Sequence, residues 1–357
     1  MNLPPDPPSG TADAPATQPG LRWPQKLGLL GVGLVGSLAL TEVGLRLAGI
    51  EFHMHPVSLE FGYPNPQVME DYFAPHPDYL WVPKSYDKKL EDARAIEPYL
   101  VFSGCSCTAW GRFAQPLARR VRKAQGTRPL QLANMACAGW SSYSGLQQLQ
   151  QDVLGLKPKV LTIYFGWNDH WVGYGVNDKT AGELASSTLL NDQGLRVVQM
   201  LTRGLVARKR ASADDGKRPV RVSLPDFRAN IEAMVDLALE NGIEPVLITA
   251  PTAHRKGEEP EYLRGRWIEN LEELVPLHQS YVEVVREVAA ERNVVLCDLA
   301  LLFEQMPREK MVSLLMEDGI HFTPEGGERV GALLFRCLQE NELLPMADGS
   351  GPKRRTR

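Results

Sequence analysis

Five short, almost uninterrupted apolar runs recur along this chain of 357 residues, and they constrain its fold more than any other feature. The runs cover 99–103, 130–136, 159–166, 244–251 and 293–299. A run without polar alternation is typical of a strand that is buried on both faces. Stretches with helical periodicity separate the runs, as they do in a parallel sheet covered by helices on both sides. The sequence therefore predicts an α/β fold.

The clearest helix is predicted to start after Ser223. This serine is placed to cap it, Asp226 completes a capping box, and Asn241 with Gly242 ends it. Further helices are predicted over 113–123, 143–156, 274–292 and 324–339.

Composition divides the chain into segments of different character. The predicted organisation is a disordered start (1–21), an apolar helix (22–50), an extension that packs on the main domain (51–96), the main domain (97–344) with a lid-like insertion (170–223), and a disordered basic tail (345–357).

The apolar helix raises the question of a membrane. Arg22 and Lys26 precede the uncharged run 27–41, and Glu42 and Arg46 follow it one helical turn apart. Three interpretations stay open: an uncleaved signal anchor, a cleaved signal peptide, or a buried helix of a soluble protein. The missing A-x-A cleavage pattern favours the anchor. Positive charge before the run then places the N-terminus in the cytoplasm and the main domain outside, in the periplasm or at the cell surface.

Charge and cysteine content narrow the function classes. A net charge of -4 gives no reason to expect nucleic acid as a partner. The five cysteines are odd in number and form no C-x-x-C pair, so no disulfide framework or zinc site is expected, and most are predicted to be reduced. His53 and His55 have no identifiable partners for a metal, and no cofactor is expected.

Polar or small residues follow the ends of the predicted strands. They are Ser106 after the first, Gly139 after the second, Asn168 after the third, and Asp318 with His321 after the fifth. Parallel strands bring their carboxyl ends to one edge of a sheet, where sites form. A serine hydroxyl needs an imidazole to take its proton and a carboxylate to orient that imidazole, and a developing oxyanion needs N–H donors. The set fits acyl transfer.

Four sequence blocks resemble those of the SGNH, or GDSL-type, serine hydrolases. The blocks are Gly104-Cys105-Ser106, Gly139, Gly166-Trp167-Asn168-Asp169 and Asp318-Gly319-Ile320-His321. The resemblance implies a three-layer, flavodoxin-like fold with a five-stranded parallel sheet, and hydrolysis of ester or O-acyl bonds without a cofactor. It also implies Ser106 as nucleophile, His321 as base oriented by Asp318, and an oxyanion hole from Ser106, Gly139 and Asn168. The apolar segment and the stretch HPDYLWVPKS (76–85) that precede the domain are arranged similarly to those of membrane-anchored bacterial members.

One departure concerns the nucleophile block, where Cys105 replaces the aspartate of the family signature. That aspartate is not part of the triad, so Ser106 remains the predicted nucleophile, with catalysis by Cys105 or Cys107 as a minor alternative. Other residues near the strand ends are predicted to line a pocket: Cys105, Cys107, Trp140, Trp167, His170 and Trp171.

The expected substrate is a small-molecule, glycan or lipid acyl ester, cleaved by a serine hydrolase. Two alternatives stay open. The same triad serves an O-acyltransferase if the acceptor is a sugar hydroxyl instead of water. A catalytically inactive carbohydrate-binding or scaffold protein on this fold is the other, and the Cys105 departure is its only sequence support.

Overall fold

The structure, a computed structural model, describes residues 22–50, 62–125, 130–173, 175–186, 194–211 and 218–344. The chain forms two compact units, 1–50 and 51–357. The segments 1–21 and 345–357, predicted to be disordered, lie outside the described residues, as do His53 and His55.

The first unit contains one long helix, α1 (Trp23–Leu47). With 25 residues, it is long and apolar enough to cross a membrane by length and composition. The two charges near its end pair with each other, since Arg46 Nε lies 2.7 Å from Glu42 Oε1. This i,i+4 pairing reduces the cost of placing both charges on an apolar helix.

The second unit is built on a parallel sheet. The strands along the chain are β1 (Phe73–His76), β2 (Leu80–Pro83), β3 (Leu100–Gly104), β4 (Leu132–Asn134), β5 (Val160–Tyr164), β6 (Glu244–Ile248) and β7 (Val295–Cys297). The last five form one parallel sheet in the order β4-β3-β5-β6-β7, while β1 and β2 form a separate antiparallel pair. Every residue of β3 and β5 is buried, which explains their continuous apolar sequence.

Helices cover both faces of this sheet, which confirms the predicted fold. In chain order they are α2 (Pro66–Tyr72), α3 (Tyr86–Ile96), α4 (Ser106–Ala109), α5 (Ala114–Gln125), α6 (Ser142–Gln148), α7 (Asp178–Ala185), α8 (Arg196–Ala211), α9 (Leu224–Glu240), α10 (Leu274–Glu291), α11 (Leu299–Glu304), α12 (Arg308–Leu314) and α13 (Pro324–Glu340). A π turn (Leu149–Val153) and a 3₁₀ turn (Leu154–Leu156) extend α6.

Three of the five cysteines are free thiols, and the other two form a disulfide. Cys105, Cys107 and Cys137 are free and buried, as predicted for most of the five. Cys297 and Cys337 form a disulfide that the sequence analysis did not predict, with Cα atoms 6.0 Å apart. They are 40 positions apart, and only the packing of α13 beside β7 brings them together.

The strand order determines where a site can form. The chain leaves β3 towards β4 on one side, returns to β5 on the other, and continues to β6 away from β3. The crevice between β3 and β5 is therefore a topological switch point, the usual ligand position in such sheets.

Candidate active site

Three side chains beyond the strand ends form a continuous hydrogen-bonded chain. Ser106 Oγ lies 2.7 Å from His321 Nε2, and His321 Nδ1 lies 2.6 Å from Asp318 Oδ2. A proton on Nδ1 facing the carboxylate leaves Nε2 as an acceptor for the serine hydroxyl. This arrangement can remove the Ser106 proton as its oxygen attacks an electrophile.

The turn before α13 fixes the carboxylate. Asp318 Oδ1 accepts the N–H groups of Ile320 at 2.9 Å and His321 at 3.0 Å, while Gly319 provides the left-handed turn at φ 70°. Partial burial opposes the charge on Asp318, but the hydrogen bonds from His321 and Ile320 outweigh it and hold the Asp318 pKa below its ordinary value. Asp318 therefore remains an ionised acceptor at neutral pH.

Ser106 sits at a tight junction between β3 and α4. A Cβ on Gly104 would lie 2.6 Å from Thr108 Oγ1 and 2.8 Å from Tyr164 O, so the strand must end in glycine. Trp110, four residues after Ser106, stacks on the His321 ring with centroids 4.1 Å apart. Sequence analysis missed Trp110, although its i,i+4 spacing from Ser106 was a usable signal.

The three residues predicted to supply oxyanion donors lie at one cavity. Gly139 adopts φ 80°, and Asn168 Nδ2 donates one hydrogen to Trp140 O at 3.0 Å, leaving its second amide hydrogen available. Within the described part of the chain, the backbone N–H groups of Ser106 and Gly139 donate to no backbone acceptor. Ser106, Gly139 and Asn168 all line the same cavity.

That cavity has a volume of about 460 Å³ and opens beside Ser106 and His321. Its walls are mostly aromatic or aliphatic. Apart from the residues named above, the described residues that line it are Pro64, Val68, Tyr72, Phe73, Ala138, Trp167, Trp171, Tyr262, Leu263, Trp267 and Ile320. Two stretches that the sequence analysis did not assign to the pocket, 64–73 and 262–267, supply most of this wall.

The predicted pocket residues divide into two groups. Trp167 and Trp171 line the cavity, and Trp171 is the one described residue of the predicted lid 170–223 that does so. The others are buried and do not line the cavity: Cys105, Cys107, Trp140 and His170. A hydrogen bond with Cys105 and burial raise the pKa of Cys107, which keeps this thiol protonated.

Two buried histidines, His170 and His278, pack against the ring of Trp167. His170 Nε2 is 3.2 Å from His278 Nδ1, and His278 Nε2 donates to Ala250 O at 2.9 Å. Burial lowers the pKa of His278 to about 4, so it is neutral at physiological pH. His254 lies closer to the triad, where its Nε2 is 2.9 Å from Asp318 O and supports the turn.

A parallel sheet with serine, imidazole and carboxylate at its carboxyl edge is the architecture of an ester-hydrolysing enzyme. The chain belongs to the GDSL-like lipase/acylhydrolase family, which matches residues 101–329. This match confirms the family inferred from the four sequence blocks.

Individual relatives are distant. A Bacillus subtilis protein named as the uncharacterized lipoprotein YqeF is 23% identical over 227 residues, which cover 60% of this chain and 74% of the relative. The lipase/acylhydrolase from Enterococcus faecalis is 23% identical with a TM-score of 0.45, covering 68% of this chain and 96% of its own. A GDSL-like lipase from Bacteroides thetaiotaomicron is 18% identical with a TM-score of 0.45, covering 71% and 97%.

Proposed function

We propose that this enzyme cleaves esters through an acyl-enzyme formed on Ser106, with His321 as general base and Asp318 as the group that orients it. The observation that carries the proposal is the unbroken contact chain of 2.7 Å and 2.6 Å from Ser106 Oγ to Asp318 at the edge of the cavity. No cofactor takes part in the proposed steps.

In the first step Ser106 Oγ bonds to the ester carbonyl carbon, its proton moves to His321 Nε2, and the carbonyl π electrons move onto oxygen. The intermediate collapses when the C–O bond to the alcohol breaks, and His321 returns the proton to the leaving oxygen. Water then repeats the sequence on the acyl-enzyme and releases the acid. The Asp318 carboxylate stabilises the imidazolium formed in each step.

The oxyanion of each tetrahedral intermediate is assigned to the N–H groups of Ser106, Gly139 and Asn168. Their availability near the serine supports this role. One such donor is worth about 3 kcal/mol of barrier, because it is fixed before charge develops.

The cavity wall favours an apolar substrate. A sugar ring would bury hydroxyls that need hydrogen-bond partners, whereas the side chains of Val68, Phe73 and Leu263 offer none. We therefore assign an ester with an apolar acyl or alcohol part. Each further CH₂ buried there contributes about 0.8 kcal/mol to binding.

Hydrolysis of p-nitrophenyl acetate, butyrate and octanoate by the purified full-length chain in mild detergent tests both points. We expect kcat/KM to rise with chain length, and Ser106→Ala to lower it by at least about a thousandfold. Ser313→Ala, at an exposed serine, is the matched control and retains wild-type activity.

Equal activity in wild type and Ser106→Ala would refute the proposed nucleophile. A folded wild type that transfers acyl groups to a sugar but not to water would establish the acyltransferase alternative. A preference for acetate over octanoate would overturn the apolar assignment.

We further infer that residues 22–50 anchor the enzyme in a membrane and that the hydrolase domain 97–344, with its extension 51–96, lies outside the cytoplasm. Helix α1 supports the anchor, as does the lipoprotein name of the Bacillus subtilis relative. The Cys297–Cys337 disulfide supports an oxidising compartment. Protease added to spheroplasts should digest the chain beyond Ile50, and protection of that region would refute the orientation.

A further inference from the structure

The loop 138–140, which carries the proposed donor Gly139, is held by side chains from three distant parts of the chain. Each of its carbonyls accepts a hydrogen bond from a distant side chain, and Ala138 O also accepts the thiol of the neighbouring Cys137 at 3.6 Å. The pairs are Trp81 Nε1 to Ala138 O at 3.2 Å, Arg221 Nη1 to Gly139 O at 2.8 Å and Asn168 Nδ2 to Trp140 O at 3.0 Å. The first pair involves the same peptide unit as the Gly139 N–H.

The C=O and N–H groups of the Ala138–Gly139 peptide have fixed directions relative to each other. In a planar trans peptide the C=O of Ala138 and the N–H of Gly139 point to opposite sides. Because Trp81 binds the oxygen from behind, the N–H is directed away from Trp81, and Gly139 itself lines the cavity. A hydrogen bond accepted by the oxygen also polarises the peptide and strengthens its N–H as a donor.

Trp81 is placed firmly enough to control this direction. Its side chain is completely buried, and its own carbonyl accepts the Trp140 indole N–H at 2.8 Å. A Cβ on Gly139 would lie only 3.1 Å from Trp81 Cζ2, so the indole touches the loop directly. Leu80, just before it, adopts φ 70°, a conformation that leucine rarely takes and that the fold must stabilise elsewhere.

We propose that Trp81, in the extension that precedes the family domain, is a positioning residue for the oxyanion hole. It acts through the Ala138–Gly139 peptide, by orienting and polarising the Gly139 N–H toward the developing oxyanion. The proposal rests on the proposed function, since it requires Gly139 to contact that oxyanion. It gives one residue of the extension, Trp81, a part in catalysis.

The test is Trp81→Phe, which keeps a buried ring and removes the indole N–H. We expect kcat on p-nitrophenyl butyrate to fall by about tenfold to a hundredfold with KM within twofold of wild type. The loss is smaller than the hundredfold to thousandfold for a deleted oxyanion donor, because the Gly139 N–H remains. The affinity of an alkyl boronic acid, whose adduct with Ser106 places an oxygen in the oxyanion hole, should fall by a similar factor.

Tyr79→Phe is the matched control. It removes a buried donor from the same extension, the Tyr79 hydroxyl bound to Asp152 Oδ2 at 2.7 Å, which has no contact with the loop carbonyls. If the extension had only a structural role, Trp81→Phe and Tyr79→Phe would change the melting temperature and the activity by similar amounts. We expect only Trp81→Phe to lose boronic acid affinity.

The outcomes separate this inference from the proposed function. If Ser106→Ala is inactive while Trp81→Phe matches wild type in kcat and boronate affinity, the positioning role is wrong and the nucleophile assignment stands. If Ser106→Ala remains active, the proposed function itself fails. Should Trp81→Phe not fold, benzothienylalanine at position 81 replaces the N–H by sulfur in a ring of the same shape, and wild-type kcat in that variant would overturn the proposal.

Discussion

Removing one partner of the Asp178–Arg221 ion pair should destabilise the protein more than any exposed charge substitution. Both side chains are completely buried, and Arg221 Nη2 lies 2.7 Å from Asp178 Oδ2. Arg221 also donates to Gly62 O and Gly139 O, while Asp178 accepts the hydroxyls of Tyr63 and Ser141. No water is needed to satisfy either charge.

The magnitude follows from what each substitution leaves behind. Asp178→Asn keeps the shape but leaves the buried Arg221 guanidinium without its ion-pair partner, which costs about 3–5 kcal/mol. Arg221→Met leaves the carboxylate in the same position and costs a similar amount. Either change alone already breaks the pair. The free energy of unfolding of the double variant should therefore fall by at least about 2 kcal/mol less than the sum of the two single decreases. Folded domains are stable by only about 5–15 kcal/mol, so each single loss is large.

Urea unfolding of the full-length chain, followed by circular dichroism in low and high salt, measures these losses. The matched control is Asp92→Asn, which breaks the exposed Lys88–Asp92 pair at 3.0 Å and should cost less than about 0.5 kcal/mol. The buried pair should also be insensitive to salt, because screening acts mainly on exposed charges. A loss below about 1 kcal/mol for Asp178→Asn, or strict additivity of the double variant, would refute the reasoning.

Two further predictions concern stability. Cys337→Ser opens the 40-position disulfide loop and should cost about 4 kcal/mol; dithiothreitol should lower the melting temperature of wild type but not of this variant. His278 has an ordinary pKa of 6.5 that burial lowers to about 4, so the unfolded chain takes up the proton first and stability falls by up to about 3 kcal/mol between pH 6.5 and 4. Burial raises the pKa of Asp169 to about 6, so protonation of Asp169 stabilises the folded state below pH 6 and opposes the effect of His278. The test therefore compares the pH dependence of stability in wild type and in His278→Gln. Parallel curves would contradict the assignment to His278.

The fold was predictable because its signals are local. Burial on both faces of β3 and β5 appears in sequence as unbroken apolar runs, and Ser223 accepts the Asp226 N–H at the start of α9 as its capping position predicts. The chain order of strands then places Ser106, Asn168 and His321 at one edge without any knowledge of side-chain positions. The first two steps depend on residues within a single strand or helix turn, and the third needs only the order of the predicted parallel strands.

The cavity and its supports were not predictable, because they depend on contacts between distant segments. Residues within 64–73 and 262–267 line the same cavity as Ser106, although they are far from it in sequence. Neither Trp81 nor Arg221 lies in the four family blocks: the stretch 76–85 that contains Trp81 indicated only the arrangement ahead of the domain, and a lone arginine before a helix is typical of a surface residue. Cys105 and Cys107 were assigned to the pocket because they flank Ser106, but at the β3–α4 junction both side chains are buried in the hydrophobic core.

The hydrogen bonds that hold the loop 138–140 should couple catalytic activity to the stability of the fold. Its carbonyls bind residues 57, 82 and 28 positions away, one in the extension, one beside α9 and one in a family block. Two of these three anchors lie outside the family's four sequence blocks. We expect the loop to shift when one of these hydrogen bonds is removed, and such a shift to change the direction of its N–H groups. Loss of the Asp178–Arg221 pair should therefore reduce kcat even in molecules that remain folded, through Gly139 O, whereas the exposed Lys88–Asp92 pair has no such connection.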